Sequence, residues 1–416
     1  MSITYELIAQ SPDHAARLGR IHTAHGMIET PTFFPVGTQA TVKTLTPNDL
    51  RAVSASAILA NTYHLFLRPG ADLIEKLGGL HKFTGWSGPI MTDSGGFQAF
   101  SLGLALEHGV GKIAKIFPGA AEVPTRPTRK KLARIDEEGV TFASHLDGSR
   151  QRLTPEISIH VQEQLGADLI VAFDECTSPL SDYHYTRQAM ERTHRWAIRS
   201  LAARTSSTAG LYGIVQGGAY PDLREMSARF IGSLPFDAFA IGGSLGRSKA
   251  DMHHVLEWTV PLLPSGKPRH LLGIGEPEDL FECVERGIDT FDCVAPTRLA
   301  RHGSFYTTHG RLNIQNAAYR EDPAPIEAGC GCFTCQTFSR AYLRHLFVAE
   351  EILGYRLATI HNLHFILQLM KQIRQSLAVN QFDELKREFL ERYRGGVGSQ
   401  GSRDERREFP APKRAF

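Results

Sequence analysis

Eight short apolar runs, each ending in polar or glycine residues, constrain the fold of this chain more than any other feature of its sequence. The runs are unbroken rather than alternating, which is typical of parallel strands buried on both faces. Most are followed by a segment that can form a helix, such as 155–165 or 182–201. Eight successive β/α units predict an α/β protein, a (β/α)8 TIM barrel. The runs are 32–36, 58–61, 90–93, 169–174, 211–216, 238–241, 270–274 and 290–294.

The stretches between and after these runs divide the rest of the chain. The interval between the third and fourth runs is too long for one β/α unit, and it contains a basic, Gly- and Pro-rich insertion at 103–134. A hairpin is expected at 139–152, where a turn-prone Asp-Gly-Ser separates two short apolar segments. We expect the barrel with its insertion to occupy residues 1–302 and a metal-binding subdomain with closing helices to occupy 303–393. The polar tail at 394–416 is expected to be disordered.

Composition and charge exclude a uniformly basic nucleic-acid-binding protein and a protein that spans a bilayer. The 416 residues carry 46 basic and 44 acidic side chains, a net charge of +2, so any contact with nucleic acid must use a local patch. No apolar run approaches the roughly 18 residues that span a bilayer. The first residues lack the basic and apolar regions of a secretory signal. We therefore expect a cytoplasmic protein that does not contact the membrane.

Acidic and amide side chains recur where the predicted strands end. Asp93, Asp174, Gln216 and Asp292 lie at or near the ends of four runs, and Gly242-Gly243 follows a fifth. The carboxyl ends of barrel strands meet at one mouth, so these groups should converge there. Such a cluster could bind a hard metal ion, act as a paired acid and nucleophile, or recognise a nucleobase. Each aspartate could instead cap a helix, but caps need not recur at the same end of a barrel.

A second group of residues predicts a metal site in the C-terminal part of the chain. Cys330, Cys332 and Cys335 form a C-x-C-x2-C pattern. Three thiolates and one imidazole make a closed tetrahedral zinc site, which is structural rather than catalytic. Spacing alone does not choose the histidine. The candidates are His345, His361 and His364.

Taken together, these motifs resemble those of the tRNA-guanine transglycosylases over roughly residues 3–390. The shared segments are Asp93-Ser-Gly-Gly-Phe-Gln98, Phe173-Asp-Glu-Cys176, Gly213-Ile-Val-Gln-Gly217, Asp292-Cys-Val294, Pro296-Thr-Arg298, the cysteine cluster, Asn61-Thr-Tyr-His-Leu65 and Arg68-Pro-Gly70. The resemblance implies a (β/α)8 barrel with a zinc-binding subdomain and a homodimer. It also implies an enzyme that needs no redox cofactor and contains one structural zinc ion per chain.

The chemistry implied by the resemblance is base exchange in queuosine modification. Guanine at the wobble position of tRNAs with a G-U-N anticodon, those for Asp, Asn, His and Tyr, is replaced by a 7-deazaguanine, either preQ1 or queuine. Asp292 would be the nucleophile that forms a covalent ribosyl–enzyme. Asp93 would be the general acid and base. Two inversions would retain the configuration at the ribose carbon, as in a retaining glycosidase.

The resemblance also implies which residues bind the substrates. Asp174 would accept hydrogen bonds from the base, Gln216 and the Gly243 N–H would serve its O6 edge, and Phe97 and Leu272 would sandwich the ring. Cys176 would belong to the same substrate site. Arg298 and Arg301 would contact the anticodon loop of the tRNA. The zinc ligands would be Cys330, Cys332, Cys335 and His361.

Several alternatives stay open at this point. The loop at 242–246 has a Ser-Leu-Gly form that resembles some members using queuine, so the incoming base can be preQ1 or queuine. The insertion at 103–134 carries seven basic and two acidic residues, and it is either an arm that contacts phosphates or a solvated loop. A metal-dependent TIM-barrel hydrolase could use Asp93, Asp174 and Asp292 as ligands. A non-catalytic tRNA-binding subunit is less consistent with the presence of both Asp93 and Asp292.

Overall fold

A closed barrel of eight parallel strands organises the computed structural model, which describes residues 3–100 and 133–400. Each predicted apolar run overlaps one barrel strand, so the predicted (β/α)8 fold is confirmed. The barrel closes in the order β4, β5, β6, β10, β11, β12, β13, β14 and back to β4. Across the described residues the strands are β1 Thr4–Gln10, β2 Arg17–Thr23, β3 Gly26–Thr30, β4 Thr32–Gly37, β5 Ile58–Ala60, β6 Ile90–Thr92, β7 Ala133–Ile135, β8 Val140–Ala143, β9 Arg150–Leu153, β10 Leu169–Val171, β11 Gly210–Val215, β12 Ala238–Ile241, β13 Arg269–Leu271, β14 Thr290–Cys293, β15 Ser304–Thr307 and β16 Gly310–Asn313.

Helices separate most of the barrel strands, as the β/α pattern predicts. The helix predicted at 155–165 has those bounds, and the one predicted at 182–201 begins after Asp182, whose carboxylate caps it by accepting from the Tyr185 N–H at 2.8 Å. The helices of the described residues are α1 Pro47–Ala52, α2 Thr62–Leu67, α3 Ala71–Lys76, α4 Gly79–Thr84, α5 Pro155–Leu165, α6 Tyr183–Ala203, α7 Pro221–Ser233, α8 Lys249–Thr259, α9 Pro277–Glu285, α10 Ala295–Arg301, α11 Phe333–Thr337, α12 Arg340–Val348, α13 Ile352–Ala378 and α14 Phe382–Gln400, with short 3-10 turns at Val260–Leu262 and Ala317–Tyr319.

The barrel strands are apolar on both faces because each face packs against a different core. In β11, Tyr212 and Ile214 join the cluster inside the barrel, whereas Leu211 and Val215 pack against the surrounding helices. Both sets are fully or almost fully buried. This explains why the runs in the sequence do not alternate between apolar and polar residues.

Among the described residues, three antiparallel sheets accompany the barrel, and the smallest of them pairs β15 with β16. Strands β1, β2 and β3 form an N-terminal sheet that the sequence analysis did not predict. The hairpin predicted at 139–152 is confirmed as β8 and β9, and β7 pairs with β8 as a third strand. The insertion predicted at 103–134 lies outside the described residues, apart from its last two, which begin β7.

The C-terminal part of the chain packs back onto the barrel through α13. The Asn362 amide donates to the carbonyls of Pro296 and Ser304, and Arg374 donates to the Pro31 carbonyl at 2.8 Å. Since α13 packs on the barrel, these contacts do not define a boundary between two domains. The division of the chain after residue 302 stays a prediction. Among the described helices, none is long and apolar enough to cross a membrane.

The predicted start of the disordered tail at 394 is wrong, because α14 continues to Gln400. Tyr393 is buried and stacks on Phe389, and the Arg394 guanidinium donates to Glu278 at 2.8 Å. These contacts anchor the helix at the position where the sequence becomes polar and glycine-rich. The remainder of the predicted tail, 401–416, lies outside the described residues.

Candidate functional site

The carboxyl ends of the barrel strands surround a cavity of about 410 Å³. Asp93 follows β6, Asp174 lies beyond β10, and Asp292 lies within β14, so different strands bring the three carboxylates to the same cavity. Most of the other predicted substrate residues also line it. They are Phe97, Cys176, Gly243, Leu272 and Arg298.

A buried histidine, His270, contacts the Asp292 carboxylate. Asp292 Oδ1 lies 3.1 Å from His270 Nε2 and accepts from the Gly273 N–H at 3.0 Å. His270 is fully buried and stacks on Phe34, and its Nδ1 lies 2.9 Å from the Thr290 hydroxyl. If that hydroxyl donates to Nδ1, Nε2 carries the proton and donates to the carboxylate. Both contacts reach the same oxygen, Oδ1, and hold it in place.

Asp93 is held by two residues that follow the neighbouring strand β5 and by one residue of its own loop. The Asn61 amide donates to Oδ2 at 2.5 Å, and the N–H groups of Thr62 and Gly95 donate to Oδ1 at 2.9 and 3.1 Å. Asn61 also caps α2, since its Oδ1 accepts from the His64 N–H. The start of α2 therefore positions the Asp93 carboxylate at the cavity wall.

The side chains of Asp174 and Gln216 contact one another. Asp174 Oδ1 accepts from the Ser94 hydroxyl at 3.1 Å, and Oδ2 accepts from Gln216 Nε2 at 2.6 Å. The amide of Gln216, predicted to face the base, therefore donates to Asp174. Its Oε1 is buried beside Gly243, and among the described residues it has no hydrogen-bond partner.

Gly243 is required by this packing. Its φ is +75°, in the left-handed region that favours glycine, and a Cβ at this position would lie 2.0 Å from Gln216 Oε1. A larger residue would therefore displace the Gln216 side chain from the site.

The two predicted RNA-binding arginines differ in their surroundings. Arg298 is exposed and lines the cavity. Arg301 instead donates to the Thr297 carbonyl of its own helix at 2.9 Å, and its partial burial lowers its pKa. The structure thus brings Arg298, but not Arg301, to the cavity.

The C-terminal cysteine cluster could hold a metal ion. The ligand atoms of Cys330, Cys332, Cys335 and His361 all lie within 4.8 Å of one another, and the three sulfurs lie 3.9, 3.5 and 3.2 Å from His361 Nδ1. Tetrahedral zinc with bonds of about 2.3 Å to sulfur and 2.0 Å to nitrogen places such atoms about 3.6 Å apart. His361 Nε2 lies 2.7 Å from the Tyr306 carbonyl, which directs Nδ1 toward the sulfurs.

A second group, His25, His81 and Asp168, lies at the opposite end of the barrel. The two imidazole rings stack with centroids 3.5 Å apart and planes 16° apart. Stacked rings direct their nitrogen lone pairs along parallel lines, whereas a metal ion needs lone pairs that converge on one point. The histidines instead contact separate oxygens of Asp168, at 2.8 and 3.2 Å. The two histidines thus bind the Asp168 carboxylate, and the stacking of their rings is unfavourable for a shared metal ion.

Comparison with known proteins assigns the family. The sequence profile described as "Queuine tRNA-ribosyltransferase" matches residues 13–395, nearly the whole chain. The chain belongs to this family. The resemblance seen in the sequence motifs is therefore confirmed.

Bacterial relatives named queuine tRNA-ribosyltransferase match over almost their full lengths. The protein from Herpetosiphon aurantiacus is 51% identical, covering 94% of this chain and 93% of the relative. The protein from Symbiobacterium thermophilum is 49% identical, covering 97% and 94%. The protein from Bacillus subtilis is 48% identical, covering 94% and 96%. The match to the queuine tRNA-ribosyltransferase family thus includes the barrel and the cysteine cluster together.

Sequence reasoning missed several residues that support the cavity in this member of the queuine tRNA-ribosyltransferase family. Asn61 lies in one of the segments shared with the family and ends the second apolar run, but the sequence analysis gave it no role in the site. His270 begins the seventh run, where a buried polar side chain facing Asp292 has no signature in the sequence. Arg224 lies in α7, and its burial is equally invisible.

Proposed function

We propose that this protein exchanges guanine at the wobble position of tRNAs with a G-U-N anticodon for preQ1 or queuine, as a step of queuosine modification. The observation that carries the proposal is the convergence of Asp93, Asp174 and Asp292 on one cavity at the barrel mouth. Membership of the queuine tRNA-ribosyltransferase family supports the reaction class.

In the first half of the proposed reaction, Asp292 attacks C1′ of the nucleotide. Because His270 and Gly273 hold Oδ1, the other oxygen, Oδ2, is the one directed at the ribose. The C1′–N9 bond breaks, its electron pair leaves with guanine, and Asp93 supplies a proton to the departing base. A covalent ribosyl–enzyme remains on Asp292.

In the second half, the incoming base reverses these steps. Asp93, now a carboxylate, removes the proton from N9 of the 7-deazaguanine, and N9 attacks C1′ and displaces Asp292. Each displacement inverts C1′, so the product retains the original configuration. One N-glycosidic bond replaces another, and the exchange needs no energy source.

Recognition of the base requires Gln216 to change its partner. Asp174 is proposed to accept from the N1–H and 2-amino group of the base, which replaces the donor that Gln216 Nε2 now provides at 2.6 Å. Gln216 is then able to turn Nε2 toward O6, beside the Gly243 N–H. Phe97 and Leu272 are proposed to stack on the two faces of the ring, with Cys176 at the wall.

The cysteine cluster is proposed to hold one structural zinc ion. The donor set of three thiols and one imidazole fits zinc and leaves no position for substrate. Bound there, the ion would tie α11 to α13, which carries His361 and reaches the barrel. We further propose that the protein acts as a homodimer and that Arg298 contacts the anticodon loop.

The metal-dependent hydrolase has less support. Within residues 3–100 and 133–400, the groups whose ligand atoms approach within 4.8 Å are the cysteine cluster and the group around Asp168. Asp93, Asp174 and Asp292 do not make a compact set of ligands there. Their hydrogen bonds also come from donors such as Asn61 and Gln216, which suit oriented carboxylates better than metal ligands.

The test uses tRNA with a G-U-N anticodon whose wobble guanine has been labelled beforehand. Release of the labelled guanine is measured with preQ1 and queuine offered separately. A tRNA with a different anticodon is the control for the RNA site. Release with preQ1 alone would assign the enzyme to synthesis of the modification, and release with queuine would assign it to salvage of the finished base. No release with either base contradicts the proposal.

A further inference from the structure

Arg224, in α7, is completely buried and surrounded by backbone carbonyl groups. Its Nε donates to the Gly218 carbonyl at 2.7 Å and its Nη1 to the Val215 carbonyl at 2.9 Å. Its Nη2 donates to the carbonyls of Gly242 and Ser244 at 3.0 and 2.8 Å. A single side chain therefore holds both the loop that follows β11 and the loop that follows β12.

Burying the guanidinium of Arg224 costs free energy, and the position of Arg224 between two loops indicates what the buried group does. A desolvated cation loses several kcal/mol of hydration unless hydrogen bonds replace the water, and four charge-assisted bonds do so here. Burial lowers the pKa of Arg224 to about 9, which leaves the group cationic at neutral pH. The two loops that it joins carry Gln216 and Gly243, the groups proposed to meet O6 of the base.

The bond to Gly242 fixes the direction of the next N–H group. In a trans peptide the C=O and N–H point in opposite directions. Because the Gly242 carbonyl points to Arg224, the N–H of Gly243 in the same peptide unit points away from Arg224. Gly243 lines the cavity, so this orientation presents its N–H to a bound base. The donation to the carbonyl also polarises the peptide and makes its N–H a stronger donor.

We infer that Arg224 is a positioning residue for recognition of O6, which aims the Gly243 N–H into the cavity and keeps Gly243 against Gln216. This inference rests on the proposed function, because it concerns the base that the exchange reaction binds. Arg224 itself does not touch the base. Its effect reaches the base through the Gly242–Gly243 peptide.

The experiment compares two bases that differ only at the position in question. 6-Thioguanine keeps the N1–H and 2-amino group of guanine but replaces O6 with sulfur, a weaker acceptor. KM for labelled guanine and Ki for 6-thioguanine are measured in the guanine-exchange reaction with tRNA. The variants are Arg224→Gln and Arg224→Lys, and Arg229→Gln on the exposed side of the same helix is the matched control.

The expected result is a selective loss of guanine affinity. Arg224→Gln should raise KM for guanine about 10- to 100-fold, the effect of losing one well-aligned hydrogen bond in a buried site. Ki for 6-thioguanine should rise several-fold less, and kcat should stay within a few-fold of the unmodified enzyme. Arg224→Lys should recover part of the guanine affinity, and Arg229→Gln should match the unmodified enzyme.

Equal losses for both bases, or no loss in a folded variant, would overturn the inference and leave Arg224 a purely structural residue. If Arg224→Gln does not fold, the ratio of the two constants in Arg224→Lys decides between the same outcomes. Failure of the unmodified enzyme to exchange guanine at all is a different result, because it contradicts the proposed function itself.

Discussion

The two ends of the barrel use the same acidic side chain in different ways. At the amino ends of the strands, Asp289 pairs with the Arg17 guanidinium through contacts of 2.9 and 2.6 Å, and Asp168 binds His25 and His81. At the carboxyl ends, the cavity aspartates contact amide, hydroxyl and backbone N–H groups, and Asp292 also contacts the His270 imidazole. Asp289 at the base is thus paired with a guanidinium, which is cationic at any ordinary pH, whereas Asp93 and Asp292 at the mouth are oriented by amide and backbone N–H groups and by one imidazole.

This difference indicates that the carboxylates at the base contribute to the stability of the fold and those at the mouth to the reaction. An ion pair buried at the base compensates the charge that it contains, and breaking it is costly. A carboxylate that hydrogen bonds orient at a cavity wall keeps its negative charge available for a reacting centre. We therefore expect substitutions at the mouth to change the reaction and those at the base to change the free energy of unfolding, as is general for barrels.

The largest expected effect is on catalysis at the mouth. Asp292→Asn removes the proposed nucleophile and should lower kcat for guanine exchange by about 10⁴-fold or more, as loss of a nucleophile does in other covalent mechanisms. The free energy of unfolding, measured with urea, should change by no more than about 1 kcal/mol. An exchange rate within tenfold of the unmodified enzyme would contradict the assignment of Asp292 to the reaction.

The next effect should appear at the base. Asp289→Asn leaves Arg17 buried without its ionised partner and should lower the free energy of unfolding by about 3–5 kcal/mol. The kcat of the folded fraction should stay within about twofold. Glu225→Gln, which removes an exposed pair with Arg229, is the control and should cost at most about 1 kcal/mol. Similar small losses in both variants would argue against the assignment of the base to stability.

A smaller, pH-dependent effect is expected at Asp168. Burial acts to raise its pKa, but the hydrogen bonds from His81, His25 and the Ile90 N–H outweigh it and hold the pKa below its usual range. A lowered pKa in the folded state stabilises the protein above the pKa of the unfolded chain, about 4, and that contribution disappears as the pH falls through the folded value.

Asp168→Asn should therefore lose about 1–3 kcal/mol at neutral pH, the cost of removing a charged acceptor from a buried hydrogen-bonded cluster. The difference between variant and unmodified protein should shrink in urea titrations carried out at progressively lower pH below 4. A difference that is constant across this range would show that the charge of Asp168 is not what stabilises the base.

The smallest effect is expected from a methyl group added at the mouth of the barrel. Gly243→Ala places a methyl group against Gln216 Oε1 at a φ of +75°, which should cost about 1–2 kcal/mol of stability. Its effect on the reaction should be on KM for the incoming base, with a rise of about tenfold, because the displaced Gln216 no longer faces O6. Gly266→Ala, in an open surface position, is the matched control. An unchanged KM would remove Gly243 from the base site.

The barrel could be predicted from the sequence because burial on both faces leaves a continuous apolar run. Residues 238–241, for example, are predicted and observed with the same bounds. The N-terminal sheet was missed because β1 is largely exposed, so its sequence shows no buried face. The end of α14 was missed because Tyr393 and Arg394 are anchored by residues distant in the chain.

The candidate site, like the fold, could be predicted only in part from the sequence. Asp93, Asp174 and Asp292 could be found because they lie at or near strand ends, and strand ends meet at the mouth whatever the details of packing. His270 and Arg224 could not, since the roles of both depend on being buried against particular atoms of other segments. The choice of His361 among three histidines needed the resemblance, because the long spacing from Cys335 does not fix which turn of α13 faces the thiols.

The most direct test of the account is to identify the residue that carries the ribosyl group. The enzyme is incubated with tRNA bearing a G-U-N anticodon in the absence of an incoming base, denatured, digested with ribonuclease and protease, and analysed by mass spectrometry. We expect a nucleotide adduct on the peptide that contains Asp292 and none in Asp292→Asn. An adduct on another residue, or one that persists at normal yield in Asp292→Asn, would contradict the assignment of the nucleophile.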